Sequence, residues 1–242
     1  MEIRKSLILA KKELFTLTNA PAFYGICLFF TLFCSIWLFY MNNFFSMDIA
    51  NLRPYFAVFP IVFILVIPML TMKSWAEERK LGSIELLLTI PFSEWELVLG
   101  KFMAAFGALI ILLILSLPVP LSILPLGRFD PGVLLGEYTG ALLLGASASA
   151  LGLLLSSLSK NQAGAFLGSA AVLLFTMLIN QLTMAFSFPS FITEGINFIS
   201  LSFHFDSFTK GIIDTRDLAF FVITTVLFLF LNTRVILFRK WS

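Results

Sequence analysis

Hydrolysis or redox work by a protein needs a nucleophile beside a base, or several ligands gathered round a metal. The 242-residue chain offers one histidine, His204, and two cysteines, Cys27 and Cys34. No H-E-x-x-H occurs, and the run GASAS at Gly145–Ser149 lacks the second glycine of a nucleophile elbow. The cysteines lie seven residues apart on one apolar segment. On a helix they share a face but stand about 10 Å apart along its axis. That excludes a bond between them and a shared metal, so they read as ordinary apolar residues, and His204 as a polar residue at a membrane interface. No G-x-x-x-x-G-K-[ST] is present to cradle phosphates. The chain is therefore expected to be no enzyme and to hold no metal or cofactor.

What remains is the body of the chain. It is 59% hydrophobic and only 12% charged, with 29 phenylalanines and a mean hydropathy of +0.98. Soluble domains carry about a quarter charged residues, so this is the composition of a membrane protein. Strand-type alternation is absent, which argues against a β-barrel. Six segments have the length a helix needs to cross about 30 Å of hydrocarbon. They run 23–41, 55–72, 102–126, 133–158, 163–186 and 218–238. The first apolar run is long for a signal sequence and reads as a span.

Basic residues orient these spans. Twelve lysines and arginines, among them Arg4, Lys5, Lys11, Lys12, Arg79 and Lys80, fall on the side of the N-terminus, the 73–101 loop and the C-terminus. Four, Arg53, Arg128, Lys210 and Arg216, fall on the other. The excess places both termini in the cytoplasm. A net charge of +2 is thereby spent on topology and implies no nucleic acid.

Between the spans, residues 2–18 read as an amphipathic helix lying at the interface, its apolar stripe formed by Ile3, Leu7, Ala10, Leu14 and Leu17. Pro118, Pro120 and Pro125 should break the third span near its outer end. The fourth span is rich in Gly and Ser, and Gly136/Gly140 and Gly164/Gly168 are G-x-x-x-G pairs, suited to packing within the chain or to a subunit interface. Ser159 and Gln162 have the spacing of a capping box for the fifth span. Residues 188–206 are apolar but broken by Pro189, Gly195 and Asn197, and read as short re-entrant helices. In the fifth span Asn180, Gln181 and Thr183 are joined by the pair Met177 and Met184. They could line a path or form interhelical hydrogen bonds.

The charged stretch Trp75–Phe102 is the exception. Glu77, Glu78, Arg79 and Lys80 continue the second span's helix until Gly82. Ser83 can then cap a new helix, with Glu85 in its first turn. Ile84, Leu86, Leu87, Leu88 and Ile90 make it apolar, and Pro91 ends it. Ser93 and Glu96 form a capping box for the third span. A two-turn apolar helix at 83–91 is too short to cross the membrane. It needs a protein partner or the membrane surface to cover it.

Met69 to Phe102 resembles the signature of ABC-2 type transporter permeases: Glu77–Glu78–Arg79–Lys80, then Gly82–Ser83–Ile84–Glu85–Leu86–Leu87, Pro91, Ser93 and Gly100–Lys101. Ser200 to Phe221 is similar to the outer-loop motif of the branch holding gliding-motility and copper-site-maturation permeases. The resemblance implies an all-α integral membrane fold of six spans with an interfacial N-terminal helix. It implies a half-transporter of the bacterial inner membrane, pairing with a second permease subunit and a separate ATPase that carries ATP and magnesium. Segment 83–91 would be the coupling helix, with Glu77, Glu78, Arg79, Gly82, Ser83, Ile84, Glu85, Leu87, Leu88 and Pro91 as the ATPase-coupling residues. A membrane anchor relaying ATPase motion to an extracytoplasmic partner has the same signature. An ion-coupled secondary transporter would need intramembrane charges, for which only Glu137, Asn180 and Gln181 stand.

Overall fold

The computed structural model describes residues 3–46, 51–82, 92–127, 129–185 and 189–240. Among them no strand occurs, and six helical stretches are long and apolar enough to cross a membrane. The protein is an all-helical, six-span membrane protein. Helix α1 (Ile3–Asn19) precedes α2 (Pro21–Ile36), the first span, which Pro21 opens and a π-turn at Trp37–Met41 closes. After the short α3 (Arg53–Ala57), α4 (Phe59–Thr71) pauses at Met72 and continues as α5 (Lys73–Lys80). The third span, α6 (Glu94–Ser116), stops at Leu117. A short α7 (Pro118–Ile123) follows, so the prolines do break this span near its end. Then come α8 (Pro131–Leu158) and α9 (Gln162–Ala185), the paired short helices α10 (Ser190–Ile199) and α11 (Leu201–Thr209), and α12 (Thr215–Lys240).

Helix α8 is the centre of the bundle. It packs against α4, α5, α6, α9, α11 and α12, and two-thirds of its most apolar window is buried, against 28% for α2 and α12 and 22% for α9. Its glycines explain why. A β-carbon on Gly140 would come within 2.4 Å of Phe208 Cβ on α11, one on Gly145 within 2.3 Å of Leu109 on α6, and one on Gly152 within 2.3 Å of Thr71 on α4. Each glycine admits a different neighbour, so Gly136/Gly140 serves packing inside the chain. Gly168, in the other G-x-x-x-G pair, meets nothing within 4 Å. The outer helices turn large apolar residues outward, such as Tyr24, Leu28 and Leu32 on α2 and Leu167, Leu174 and Phe175 on α9. A lipid surface accepts such a belt and an aqueous one does not.

Two local expectations are corrected. The buried side of α1 is Ser6, Leu9 and Ala10, with Leu7 turned outward, so its packing face is offset from the apolar stripe. The reason is Gly100 and Gly107 of α6, which receive Leu9 and Leu14 and fix the helix's rotation. Helix α9 is started by Asn161, whose Oδ1 accepts the Gly164 N–H at 2.7 Å, while the Ser159 hydroxyl donates back to Leu155 O at 2.8 Å. His204 lies buried within the protein.

Gly140→Ala is expected to lower stability by about 1–3 kcal/mol, the usual cost of overpacking a filled interior. Gly168→Ala, which meets open space, is expected to leave stability unchanged or slightly raised. Thermal unfolding of both variants in detergent, followed by size-exclusion chromatography, checks the pair. Equal losses in both would contradict the packing described.

Candidate functional site

Six crossings return the chain to the side from which it started. That end, rich in basic residues, gathers α1, α5, the start of α6, the end of α8 and the end of α12. Leu9, Trp75, Leu97, Val98, Leu153 and Ile236 close over one another there as a separate apolar cluster.

Helix α5 is held on two sides of this cluster. On one side it is bound to α8. The Ser156 hydroxyl accepts the N–H groups of Trp75 and Ala76 at 3.2 and 3.3 Å and donates to Met72 O at 3.1 Å. One serine thus satisfies the backbone groups that the pause at Met72 leaves open. Farther along, the Arg79 guanidinium donates to the carbonyls of Leu158 at 3.3 Å and Ser159 at 2.5 Å, and to that of Ser157. These are the carbonyls that end α8, without partners inside the helix and at the negative pole of its dipole. A planar, multidonor cation fits them as a cap.

On the other side α5 is bound to α6 and α1. Lys101, 1% exposed, places its Nζ 2.7 Å from Glu78 Oε1, 2.7 Å from Ser74 O and 3.3 Å from Glu13 Oε1. The ammonium also sits 4.8 Å from the centre of the Trp75 ring. Four elements of the cation's shell come from two helices other than its own. All three ammonium hydrogens have acceptors, which is the condition for keeping a lysine away from water.

The segment between α5 and α6 is therefore bracketed. At its start the N–H groups of Leu81 and Gly82 bond back to Glu77 O and Arg79 O, and Gly82 takes a φ of +71°, the left-handed stop glycine favours. At its end the Ser93 hydroxyl accepts the Glu96 N–H at 3.3 Å, and Glu96 Oε2 accepts the Ser93 N–H at 3.0 Å. This is the capping box expected of α6. Of the sequence-derived coupling residues, Glu77, Glu78, Arg79 and Gly82 fall in the bracket; Ser83, Ile84, Glu85, Leu87, Leu88 and Pro91 lie outside the described residues.

Beside the bracket an open cavity of about 990 Å³ lies between α1 and α2 on one side and α4, α5 and α9 on the other. Phe23, Phe29, Met69 and Phe166 give it apolar walls, while Glu13, Lys73, Glu77 and Glu78 give it a charged rim. Of the path candidates on α9, Met177, Asn180, Gln181 and Thr183 do not line it. Met177 is buried in the main core and Asn180 follows it inward, whereas Gln181 is exposed. The Met184 side chain lies outside the described residues.

The opposite end carries a clasp that sequence reading missed. His204 Nδ1 meets Asp217 Oδ1 at 2.7 Å and its Nε2 meets Phe198 O at 3.2 Å, with the Phe220 ring stacked 3.8 Å away. Helices α10, α11 and α12 are tied at this one imidazole. Nearby, Asp206 binds Lys210 at 2.6 Å and Arg53 at 3.2 Å. Partial burial works to raise the Asp206 carboxyl, but these two cations outweigh it and hold the group below its ordinary range. Among the described residues no group of three or more His, Cys, Asp or Glu could hold a metal ion.

Residues 40–234 match the model of a family described as ABC-2 family transporter protein. No curated protein matches the chain.

Lys101→Met should strand Glu13 and Glu78 without their shared cation and cost about 3–5 kcal/mol. Adding Glu13→Gln and Glu78→Gln is expected to recover most of that loss. Unfolding of the single and triple variants in a denaturing detergent titration checks both, and equal losses would show that the three groups are not coupled.

Proposed function

The chain belongs to the ABC-2 transporter family, a membrane component that works with an ATPase, and on that premise we propose that it is one half of the membrane part of an ATP-driven exporter. In this reading segment 83–91 is a coupling helix seated on a separate ATPase, which binds ATP and magnesium. A second permease subunit completes the path. Both termini lie in the cytoplasm of a bacterial cell, at its inner membrane. The motif at Ser200–Phe221 carries the narrower resemblance to gliding-motility and copper-site-maturation permeases.

The observation that carries the reading is the bracket round 83–91. A push on this segment needs a stiff route to the spans. Arg79 and Ser156 make α5 and α8 one piece, and Lys101 makes α5, α6 and α1 one piece. Helix α8 in turn touches most of the bundle. Motion delivered to α5 would reach the central helix through these contacts. The large cavity, with apolar walls and a charged rim, supports an amphipathic cargo. A mechanical relay to an extracytoplasmic protein is the second reading. It rests on α10, which buries none of its residues and exposes Phe191 and Phe198 at the far end.

Purification of the chain from its native membrane in mild detergent, with mass spectrometry of what accompanies it, tests the proposal. An ATPase with Walker motifs in equal amount is expected. Glu85→Lys or Leu87→Asp should remove that ATPase while leaving the chain inserted in the membrane. Unchanged co-purification, or no ATPase even after cross-linking at Leu88, would overturn the coupling role.

A further inference from the structure

A second cavity, of about 260 Å³, opens at the far end of the bundle beside the first turns of α8. Asn51, Arg53, Phe129, Asp130, Leu134 and Glu137 are part of its wall. Glu137 stands six residues into α8, about 9 Å along the helix. It is 1% exposed, and its Oε1 is sealed from solvent without a hydrogen-bond partner.

Among the described wall residues the polar neighbours make their hydrogen bonds elsewhere, although the Arg53 charge still favours an ionised Glu137. The Arg53 guanidinium binds Asp206 at 3.2 Å, although Asp206 already holds Lys210. Asp130 Oδ1 accepts the Gly132 N–H at 2.7 Å as the cap of α8, and Asn51 Oδ1 accepts the Arg53 N–H at 2.9 Å. An ionised carboxylate sealed from water is costly unless something charged or protic meets it. The cavity leaves room for that something, and the described residues of its wall carry two carboxylates, Asp130 and Glu137, and one guanidinium, which is already paired with Asp206.

We propose that this cavity binds an alkylammonium group, with Glu137 as its counter-ion. An ammonium donates in three directions and can use Glu137 and the free oxygen of Asp130. Phe129 lines the same wall and can give the cation an aromatic contact, and Leu134 with Leu52 and Val133 can cover the attached carbons. A metal ion fits poorly, because no cluster of three or more suitable ligands exists among the described residues. The volume is slightly under the usual range for small-molecule pockets, which starts at about 300 Å³. It suits a two- or three-carbon amine and not a whole lipid. Such a group can come from the ethanolamine headgroup of a phospholipid or from a free amine. The site is independent of the coupling role assigned to 83–91.

Two arms with the full chain test this. In the first, nanodiscs mix phosphatidylglycerol with phosphatidylethanolamine, and native mass spectrometry identifies the lipid the released protein keeps. Wild type is expected to favour phosphatidylethanolamine by roughly tenfold, the worth of one charge-assisted hydrogen bond. In the second, discs of phosphatidylglycerol alone receive millimolar ethylammonium chloride or the same concentration of potassium chloride, and thermal unfolding is followed. Ethylammonium is expected to raise the melting temperature of wild type. Glu137→Gln, close in shape, and Leu134→Trp, which fills the cavity and keeps the carboxylate, should each abolish both effects. Lipid preference without ethylammonium stabilisation assigns the site to a headgroup, and the reverse assigns it to a free amine. Identical behaviour of wild type and both variants in both arms overturns the proposal, with Glu137 then neutralised by a proton alone.

Discussion

Apolar side chains gain little by leaving lipid for the interior of a membrane protein, so helices in hydrocarbon are held by how closely they can approach. In this chain that closeness is concentrated on α8. Its glycines lie where a side chain of α4, α6 or α11 needs the space of a missing β-carbon. Ser156 sits at the same helix's end and bonds the backbone of the α4–α5 junction. One helix with small and hydroxyl side chains thereby sets the position of most others. The more peripheral helices can then keep large apolar residues on their outer faces, where they meet lipid.

Polar groups inside this frame are used as joints. Lys101 draws a carboxylate from α1 and another from α5 into a site almost closed to water. His204 draws Asp217 and the Phe198 carbonyl together at the other end. Both are places where three helices meet. At such points a shared charge or ring fixes the register that apolar contacts alone leave loose.

The spans were legible because hydropathy over about twenty residues follows directly from the thickness of the bilayer. The prolines of α7 and the Ser93–Glu96 box were legible too, being local in sequence. Tertiary pairing was not. Lys101 stood in the sequence as part of the Gly100–Lys101 motif. With α6 opening at Glu94 the lysine lies two turns inside the helix, and a lysine at that depth has to be paired. Glu13 and Asp217 lie 88 and 13 residues from their partners, and nothing in a single sequence links such positions. The rotation of α1 escaped for the same reason, since it is set by Gly100 and Gly107 on another helix. Asn161 displaced Ser159 as a cap by a matter of two residues, within the ordinary uncertainty of helix ends.

The grip of Arg79 on α8 is made entirely to main-chain oxygen. Residues 157–159 contribute no side-chain atom to it. Their identities are free to drift over evolutionary time without loosening the contact, whereas Arg79 is tied to its own type by the fork it presents. Correlated substitutions between homologues would therefore be blind to this joint, although it ties the charged helix directly to the centre of the bundle.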